Sequence, residues 1–135
     1  MPSIKKTEIF AVTSEEHIVV VRQAVRKLAL EIKLSLVDQT KIVTAASELA
    51  RNMLIYGGGG ESRLEILSEG VRLGLRVHFV DHGPGIADLD RARGDGYTSG
   101  NGMGLGLGGA KRLVNEFDIV SQPGQGTHIT ITRWK

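Results

Sequence analysis

Two runs of alternating apolar and polar residues constrain this chain more than any other feature. They cover residues 62–69 and 71–81, and the pair Glu69-Gly70 between them is typical of a tight hairpin turn. Successive side chains of a strand point to opposite faces. One face of the second run carries Leu73, Leu75, Val77, Phe79 and Asp81. A carboxylate therefore ends an apolar row that must face a core.

Two longer segments have the three-and-four apolar spacing of helices that pack on a sheet. The first begins at a capping-box pattern in residues 13–16 and keeps its spacing to about Ile32. The second runs from a capping candidate at 35–38 to Tyr56, where the glycine cluster at 57–60 is suited to end it. These are the two main helices that we expect.

The remaining periodic segments complete the predicted fold. Residues 6–12 form an opening strand, residues 110–117 a third helix, and residues 118–122 and 127–134 a closing hairpin. The prediction is a single α+β domain over residues 1–135. It is a two-layer sandwich, in which three helices cover one face of a mixed, mostly antiparallel sheet.

Composition excludes several classes of protein. The net charge is only +2 and the 17 Lys and Arg residues are scattered, so we expect no nucleic-acid partner. No stretch approaches about 18 apolar residues and no cleavable leader is visible, so we expect no membrane span. The absence of cysteine fits a reducing compartment, and we expect a cytoplasmic protein. The four histidines share no metal-ligand spacing, and no zinc centre is expected.

Glu48 and Asn52 are a candidate pair for chemistry. They are four residues apart on the second helix, so they lie one turn apart on one face and can share a ligand. A Mg²⁺ ion takes one or two protein oxygens and leaves its other positions to water and phosphate. Polar residues at this spacing are also typical of a solvent-exposed helix face. For the pair taken alone, that is the commoner explanation.

The segment DHGPGI, residues 81–86, indicates a binding site at the end of a strand. Gly83 and Gly85 leave room for the ring of another molecule against the backbone, and Asp81 can accept a hydrogen bond from an exocyclic amine. A plain turn with an Asp cap is the alternative. The inward direction of Asp81 favours the binding site.

The glycine-rich segment 99–113 offers backbone amides that run into a helix N-terminus, an arrangement that binds phosphate oxygens. A glycine-rich surface loop is the alternative. Ordering so many glycines costs backbone entropy on folding, which favours the phosphate-binding explanation. The chain has no GxxxxGK[ST] motif. Residues 104–109 match the GxGxxG motif of dinucleotide-binding folds, but no strand precedes them. The sequence therefore disfavours a Rossmann-type site.

In this order, ELARN (48–52), DHGPGI, the glycine-rich GNGMGLGLGGAKRL (100–113) and GTHITI (126–131) resemble a known ATP-binding fold. Gyrase, heat-shock chaperones, histidine kinases and mismatch-repair ATPases share this Bergerat-type fold. The resemblance covers nearly the whole chain. In detail the sequence is most similar to the RsbT-type serine/threonine kinases of bacterial stress signalling.

The resemblance implies a role for each matching residue. Asn52 would hold Mg²⁺ on the phosphates of ATP, and Glu48 would be the general base that receives the proton of the acceptor hydroxyl. Asp81 would bind the adenine amine, supported by Thr127. Gly83 and Gly85 would admit the base, and three glycines of the glycine-rich segment would wrap the phosphates: Gly102, Gly104 and Gly106.

The resemblance also implies partners. The kinase would act in a partner-switching module, phosphorylate a STAS-domain antagonist or scaffold protein, and bind and activate a partner phosphatase. The alternative is an RsbW-type anti-sigma factor kinase that binds and inhibits a sigma factor. A nucleotide-gated module without transfer activity is disfavoured, because Glu48 and Asn52 are both present. The basic residue that contacts the γ-phosphate stays open among Lys111, Arg112 and Arg51.

Overall fold

The computed structural model describes residues 2–85 and 107–135. Within these ranges, five strands and three helices follow the order β1, α1, α2, β2, β3, α3, β4, β5. Their bounds are β1 Ser3–Val12, α1 Glu15–Glu31, α2 Leu36–Gly57, β2 Gly60–Glu69, β3 Arg72–Asp81, α3 Leu107–Arg112, β4 Glu116–Ser121 and β5 Thr127–Trp134.

The strands form one sheet in the order β1-β2-β3-β5-β4. The hairpin predicted from the two alternating runs is confirmed, with Ile66 opposite Leu75 and Gly60 opposite Asp81. We expected a mixed, mostly antiparallel sheet. All four pairings of the described strands are antiparallel. The predicted α+β sandwich is confirmed.

The two long helices begin and end close to the predicted residues. At the start of α2, the Ser35 side chain accepts a hydrogen bond from the backbone N–H of Asp38 at 3.1 Å. At its end, Gly58 has φ +74°, the left-handed conformation that glycine adopts without steric cost. The capping box of α1 does not form: Ser14 is the N-cap without a side-chain bond, and the Thr13 N–H instead donates to Nδ1 of His17 at 3.0 Å.

The third helix was predicted with the wrong bounds. It was expected over residues 110–117, whereas α3 spans Leu107–Arg112 and β4 begins directly after Asn115. The backbone N–H of Asn115 donates to the carbonyl of Thr132 at 2.9 Å, and its side-chain oxygen accepts from the N–H of Trp134 at 2.6 Å. Pairing with β5 therefore ends the helix earlier than the apolar spacing suggested.

The core lies between the sheet and the helices α1 and α2. The predicted inward face of β3 is confirmed, since Leu75, Val77, Phe79 and Asp81 are buried and Leu73 is partly buried. Large apolar side chains from both layers fill this core, among them Leu28, Ile42, Leu49, Leu64 and Ile131. The acid at the end of β3 is therefore directed toward the C-terminal end of α2. No helix within the described ranges is both long and apolar enough to span a bilayer.

A salt bridge joins the closing strand to the start of α2. Arg133 on β5 donates from Nη2 to Oδ1 of Asp38 at 2.6 Å, and from Nη1 to the carbonyl of Leu113 at 3.4 Å. The hydrogen bond from Arg133 favours the charged carboxylate, which lowers the pKa of Asp38 below its usual value. Arg133 therefore links the start of α2 and the residue after α3 to β5.

We expect Asp38→Asn to lower the free energy of unfolding by about 1 kcal/mol at pH 7. Because the pKa of Asp38 is lower in the folded than in the unfolded protein, its stabilisation is complete above about pH 4 and is lost as the pH falls through the folded pKa. Urea unfolding of both proteins between pH 7 and pH 3 should therefore show the difference narrowing below about pH 4. Asp118→Asn is the matched control, because Asp118 is exposed and forms no salt bridge with a described residue. An equal difference at every pH would contradict the assignment.

Candidate active site

A small cavity lies where the end of α2 meets the end of β3, the start of β5 and the start of α3. Apolar side chains form most of its wall, and Asn52, Tyr56, Asp81 and Thr127 contribute polar atoms. A mostly apolar cavity with a few convergent polar groups is the usual form of a small-molecule site. The lining suits a planar ring that needs one hydrogen-bonding partner.

Asp81 is held in a fixed position within this cavity. It is 9% exposed, and its Oδ1 accepts hydrogen bonds from the backbone N–H groups of Gly83 at 2.9 Å and Thr127 at 3.2 Å. Its second oxygen, Oδ2, has no hydrogen-bond partner among the described residues. A carboxylate oxygen can accept hydrogen bonds, so Oδ2 is suited to accept one from a ligand.

Two glycines let the backbone of α2 approach this carboxylate. A Cβ atom at Gly57 would lie 2.5 Å from Cγ and 2.6 Å from Oδ2 of Asp81, and one at Gly83 would lie 2.7 Å from the Cα of Gly57. Since real Cβ contacts are longer, any side chain at either position would push the helix end and the loop apart. Gly83 is thus required by packing within the protein itself.

Gly85 is required by the turn that it forms. Its φ of +75° is a conformation that residues with side chains rarely adopt, and an added Cβ would collide with the carbonyl of Gln122. Gly85 also lines the cavity. The structure therefore gives Gly83 and Gly85 structural reasons to be glycine, while their role in admitting a purine ring stays a prediction.

The structure brings together most of the predicted site residues. Four of them line the cavity: Asn52, Asp81, Gly85 and Thr127. Gly83 does not line it, but its backbone N–H donates a hydrogen bond to the Asp81 carboxylate. Glu48 lies one turn before Asn52 on α2, is exposed, and does not line the cavity. The three predicted phosphate-binding glycines, Gly102, Gly104 and Gly106, lie outside the described residues. The helix that follows them starts at Leu107, which does line the cavity.

Sequence reasoning missed several residues of the site. Tyr56 lies four residues after Asn52, so helical spacing was a signal that could have found it. The same spacing places Leu49 and Met53 at the cavity, where they add to its apolar wall. Gly57 was expected only to end the helix, because its contact with Asp81 joins residues that are distant in sequence.

Comparison with known proteins agrees with this geometry. Residues 37–135 match the family described as histidine kinase-, DNA gyrase B-, and HSP90-like ATPase. The chain belongs to this family. The family description names ATPases, which implies that the chain uses ATP.

Two relatives narrow the activity. The chain is 41% identical to the serine/threonine-protein kinase RsbT of Bacillus subtilis over 123 residues, which is 91% of this chain and 92% of that protein. It is 28% identical to an anti-sigma F factor of Oceanobacillus iheyensis, with 97% of this chain and 86% of that protein covered. The 41% identity to this kinase over most of the chain shows that the chain is a protein serine/threonine kinase.

Two solved structures share the fold. The RsbU and RsbW domains of Rv1364c from Mycobacterium tuberculosis match with a TM-score of 0.66 at 21% identity, over 97% of this chain and 33% of that one. The SiaB-SiaC complex from Pseudomonas aeruginosa matches with a TM-score of 0.54 at 13% identity, over 98% and 91%. At these identities the likeness concerns the arrangement of the sheet and helices.

We expect Gly57→Ala to weaken ATP binding by about tenfold or more, because the new methyl group would displace the Asp81 carboxylate. Titration calorimetry with ATP measures the affinity, and thermal unfolding in parallel separates a displaced carboxylate from a lost fold. Gly109→Ala is the matched control, because a Cβ at this exposed position of α3 would meet nothing within 4 Å. It should change the affinity by no more than about twofold. Unchanged ATP affinity in a folded Gly57→Ala protein would contradict the expected role of this contact.

Proposed function

We propose that this protein is the ATP-dependent serine/threonine kinase of a bacterial partner-switching module, that it phosphorylates a STAS-domain protein, and that it binds and activates a partner phosphatase. The observation that carries the proposal is that Asn52 and Asp81 line the same cavity. The identity with the kinase from Bacillus subtilis supports the type of reaction. ATP is a cytoplasmic metabolite, and we place the protein in the cytoplasm.

In this proposal Asp81 recognises the adenine ring. Oδ1 is already bound by two backbone N–H groups, so Oδ2 is the oxygen that accepts a hydrogen bond from the exocyclic amine. Thr127 keeps the carboxylate in place through its N–H, and its hydroxyl lies 2.8 Å from that of Ser121. The apolar side chains of Met53, Phe79 and other residues of the wall contact the faces of the ring.

Asn52 is the proposed protein ligand of Mg²⁺. Its amide oxygen is a hard donor, and the phosphates and water supply the other positions that this ion prefers. When bound, Mg²⁺ neutralises charge on the phosphates. Positioning and charge neutralisation are the main requirements of phosphoryl transfer. The proposal retains the phosphate-binding role of Gly102, Gly104 and Gly106.

Glu48 is the proposed general base, and its exposure suits that role. An acceptor hydroxyl on another protein must approach from solvent, so the base that receives its proton must be accessible. Glu48 lies one turn from Asn52, which places its carboxylate beside the proposed phosphate end of the site. The proton moves from the acceptor hydroxyl to Glu48, the γ-phosphoryl group moves to the acceptor oxygen, and ADP leaves.

We expect Asp81→Asn to separate adenine recognition from folding. The Asn side chain keeps an oxygen for the N–H groups of Gly83 and Thr127, but it replaces the second acceptor with an NH₂ donor. ATP should bind about 10- to 100-fold more weakly, while inosine triphosphate, which has an acceptor in place of the amine, should lose less or gain. Calorimetric titration with both nucleotides measures the ratio. An equal loss for both would show that Asp81 does not read the amine.

We expect Glu48→Gln to bind Mg-ATP normally and to transfer phosphate roughly 100-fold or more slowly, since only the base is removed. Asn52→Ala should instead lose the part of ATP affinity that depends on Mg²⁺. The measurements are ATP binding with and without Mg²⁺, and transfer of labelled phosphate to a purified STAS-domain protein from the same genome.

The same transfer assay tests the proposed function. Label on a serine or threonine of the STAS-domain protein supports the kinase, and its absence with a folded, ATP-binding enzyme contradicts the proposed substrate. Equal loss of binding and transfer in both variants would contradict the separate roles of Glu48 and Asn52. A stimulation assay with the neighbouring phosphatase, with and without the kinase, tests the second partner.

An anti-sigma factor is the second candidate. It is supported by several relatives named anti-sigma F factor, including one from Pasteuria penetrans that is 30% identical over 78% of this chain. Such a protein would retain a sigma factor in a nucleotide-dependent complex. Co-purification with sigma factors distinguishes the two candidates.

A further inference from the structure

The sheet face opposite the helices contains an unexpected buried carboxylate. Glu65 on β2 is only 4% exposed, although its neighbours Leu64 and Ile66 are the residues of this strand that face the helices. Its Oε1 accepts hydrogen bonds from Nε of Arg76 and from Nε2 of His78, each at 2.7 Å. Burial raises the pKa of Glu65, but the interactions with His78 and Arg76 together outweigh it, so the pKa lies below its usual value.

His78 also contacts a second histidine. Its Nδ1 lies 3.0 Å from Nε2 of His128 on β5, and the two ring centroids are 5.2 Å apart. The hydroxyl of Thr130, which is directly opposite His78 in the sheet, lies 3.4 Å from both nitrogens. Three donor atoms therefore form a triangle with edges of 3.0, 3.4 and 3.4 Å.

The distance between the two nitrogens is close to the distance between two ligands of one metal ion. Tetrahedral Zn²⁺ binds imidazole nitrogen at about 2.0–2.1 Å, so two such ligands are about 3.3 Å apart. The bond to Glu65 places the proton of His78 on Nε2 and leaves the lone pair of Nδ1 directed at His128. A metal-binding histidine almost always donates its other N–H in this way, often to a carboxylate.

We propose that Nδ1 of His78 and Nε2 of His128 are the protein ligands of a site for a divalent transition cation, with Zn²⁺ as the best fit. Glu65 is the positioning residue that orients His78, and the Thr130 hydroxyl binds a water in the coordination sphere. Imidazole ligands favour Zn²⁺, Cu²⁺ or Ni²⁺ over Mg²⁺. The site is distinct from the nucleotide cavity, which lies on the helix side of the sheet.

The site would be incomplete within this chain. No three His, Cys, Asp or Glu residues are grouped for metal binding within residues 2–85 and 107–135. Two positions therefore go to water or to a side chain of another protein. The nearby charges balance approximately, because the carboxylates of Glu65 and Asp118 oppose the guanidinium groups of Arg63 and Arg76.

The distance along the chain explains why sequence reasoning did not expect this site. His78 and His128 are 50 residues apart and meet only because β3 pairs with β5. A search for metal-ligand spacing within one segment of the sequence cannot find two ligands that are so far apart. The alternation along the two strands places both rings on the same face.

The test is a zinc sulfate titration of the full chain without an affinity tag. Nucleotide is left out of the titration, because the phosphates of ATP bind Zn²⁺ themselves and would compete with the protein. We expect one Zn²⁺ per chain by calorimetry and, in histidine two-bond ¹H–¹⁵N spectra, shifts at Nδ1 of His78 and Nε2 of His128. His128→Ala should weaken Zn²⁺ binding by at least about tenfold, since losing a ligand costs no less than losing a supporting residue.

Two further variants make the result decisive. Glu65→Gln, with its fold checked by thermal unfolding, should weaken Zn²⁺ binding by roughly 10- to 100-fold. His82→Ala is the matched control, because His82 is an exposed histidine outside the triangle, and it should leave the Zn²⁺ affinity unchanged. The proposal is overturned if Zn²⁺ does not saturate at one equivalent, if His128→Ala binds as well as the wild type, or if His82→Ala weakens binding equally.

Discussion

The hydrogen bonds of the Asp81 carboxylate organise the site of this protein. One oxygen binds the N–H of Gly83 and the N–H of Thr127, so it joins the loop after β3 to the start of β5. Because a buried carboxylate is costly without such partners, these bonds are a condition for placing an acid at the end of an apolar strand. They also use only Oδ1 and leave Oδ2 for a ligand.

The direction of Asp81 could be predicted from the sequence because it depends only on the period of a strand. Leu75, Val77 and Phe79 must be buried, and the residue two positions after Phe79 must then share their face. The same local reasoning located α1 and α2, since amphipathic spacing extends over many residues. The Ser35 cap was visible for the same reason, because its bond to Asp38 spans three residues.

Features that depend on contacts distant in sequence could not be predicted. Helical spacing continued through Asn115, but its bonds to Thr132 and Trp134 end α3 and start β4. Gly57 looked like a helix terminator, and only the fold shows that a side chain there would strike Asp81. The resemblance to a known ATP-binding fold compensated for part of this, because it grouped Asn52, Asp81 and Thr127 before their positions were known.

One pair of strands presents a different chemistry on each face. On the helix side, β3 and β5 contribute Asp81 and Thr127 to a cavity with mostly apolar walls. On the other side the same strands contribute His78 and His128, close to solvent and supported by a buried acid. Thr127 and His128 are adjacent, so their side chains must point to opposite faces. The register of β3 against β5 thus fixes both groups at once, and a shift of one residue would exchange the faces and remove both arrangements.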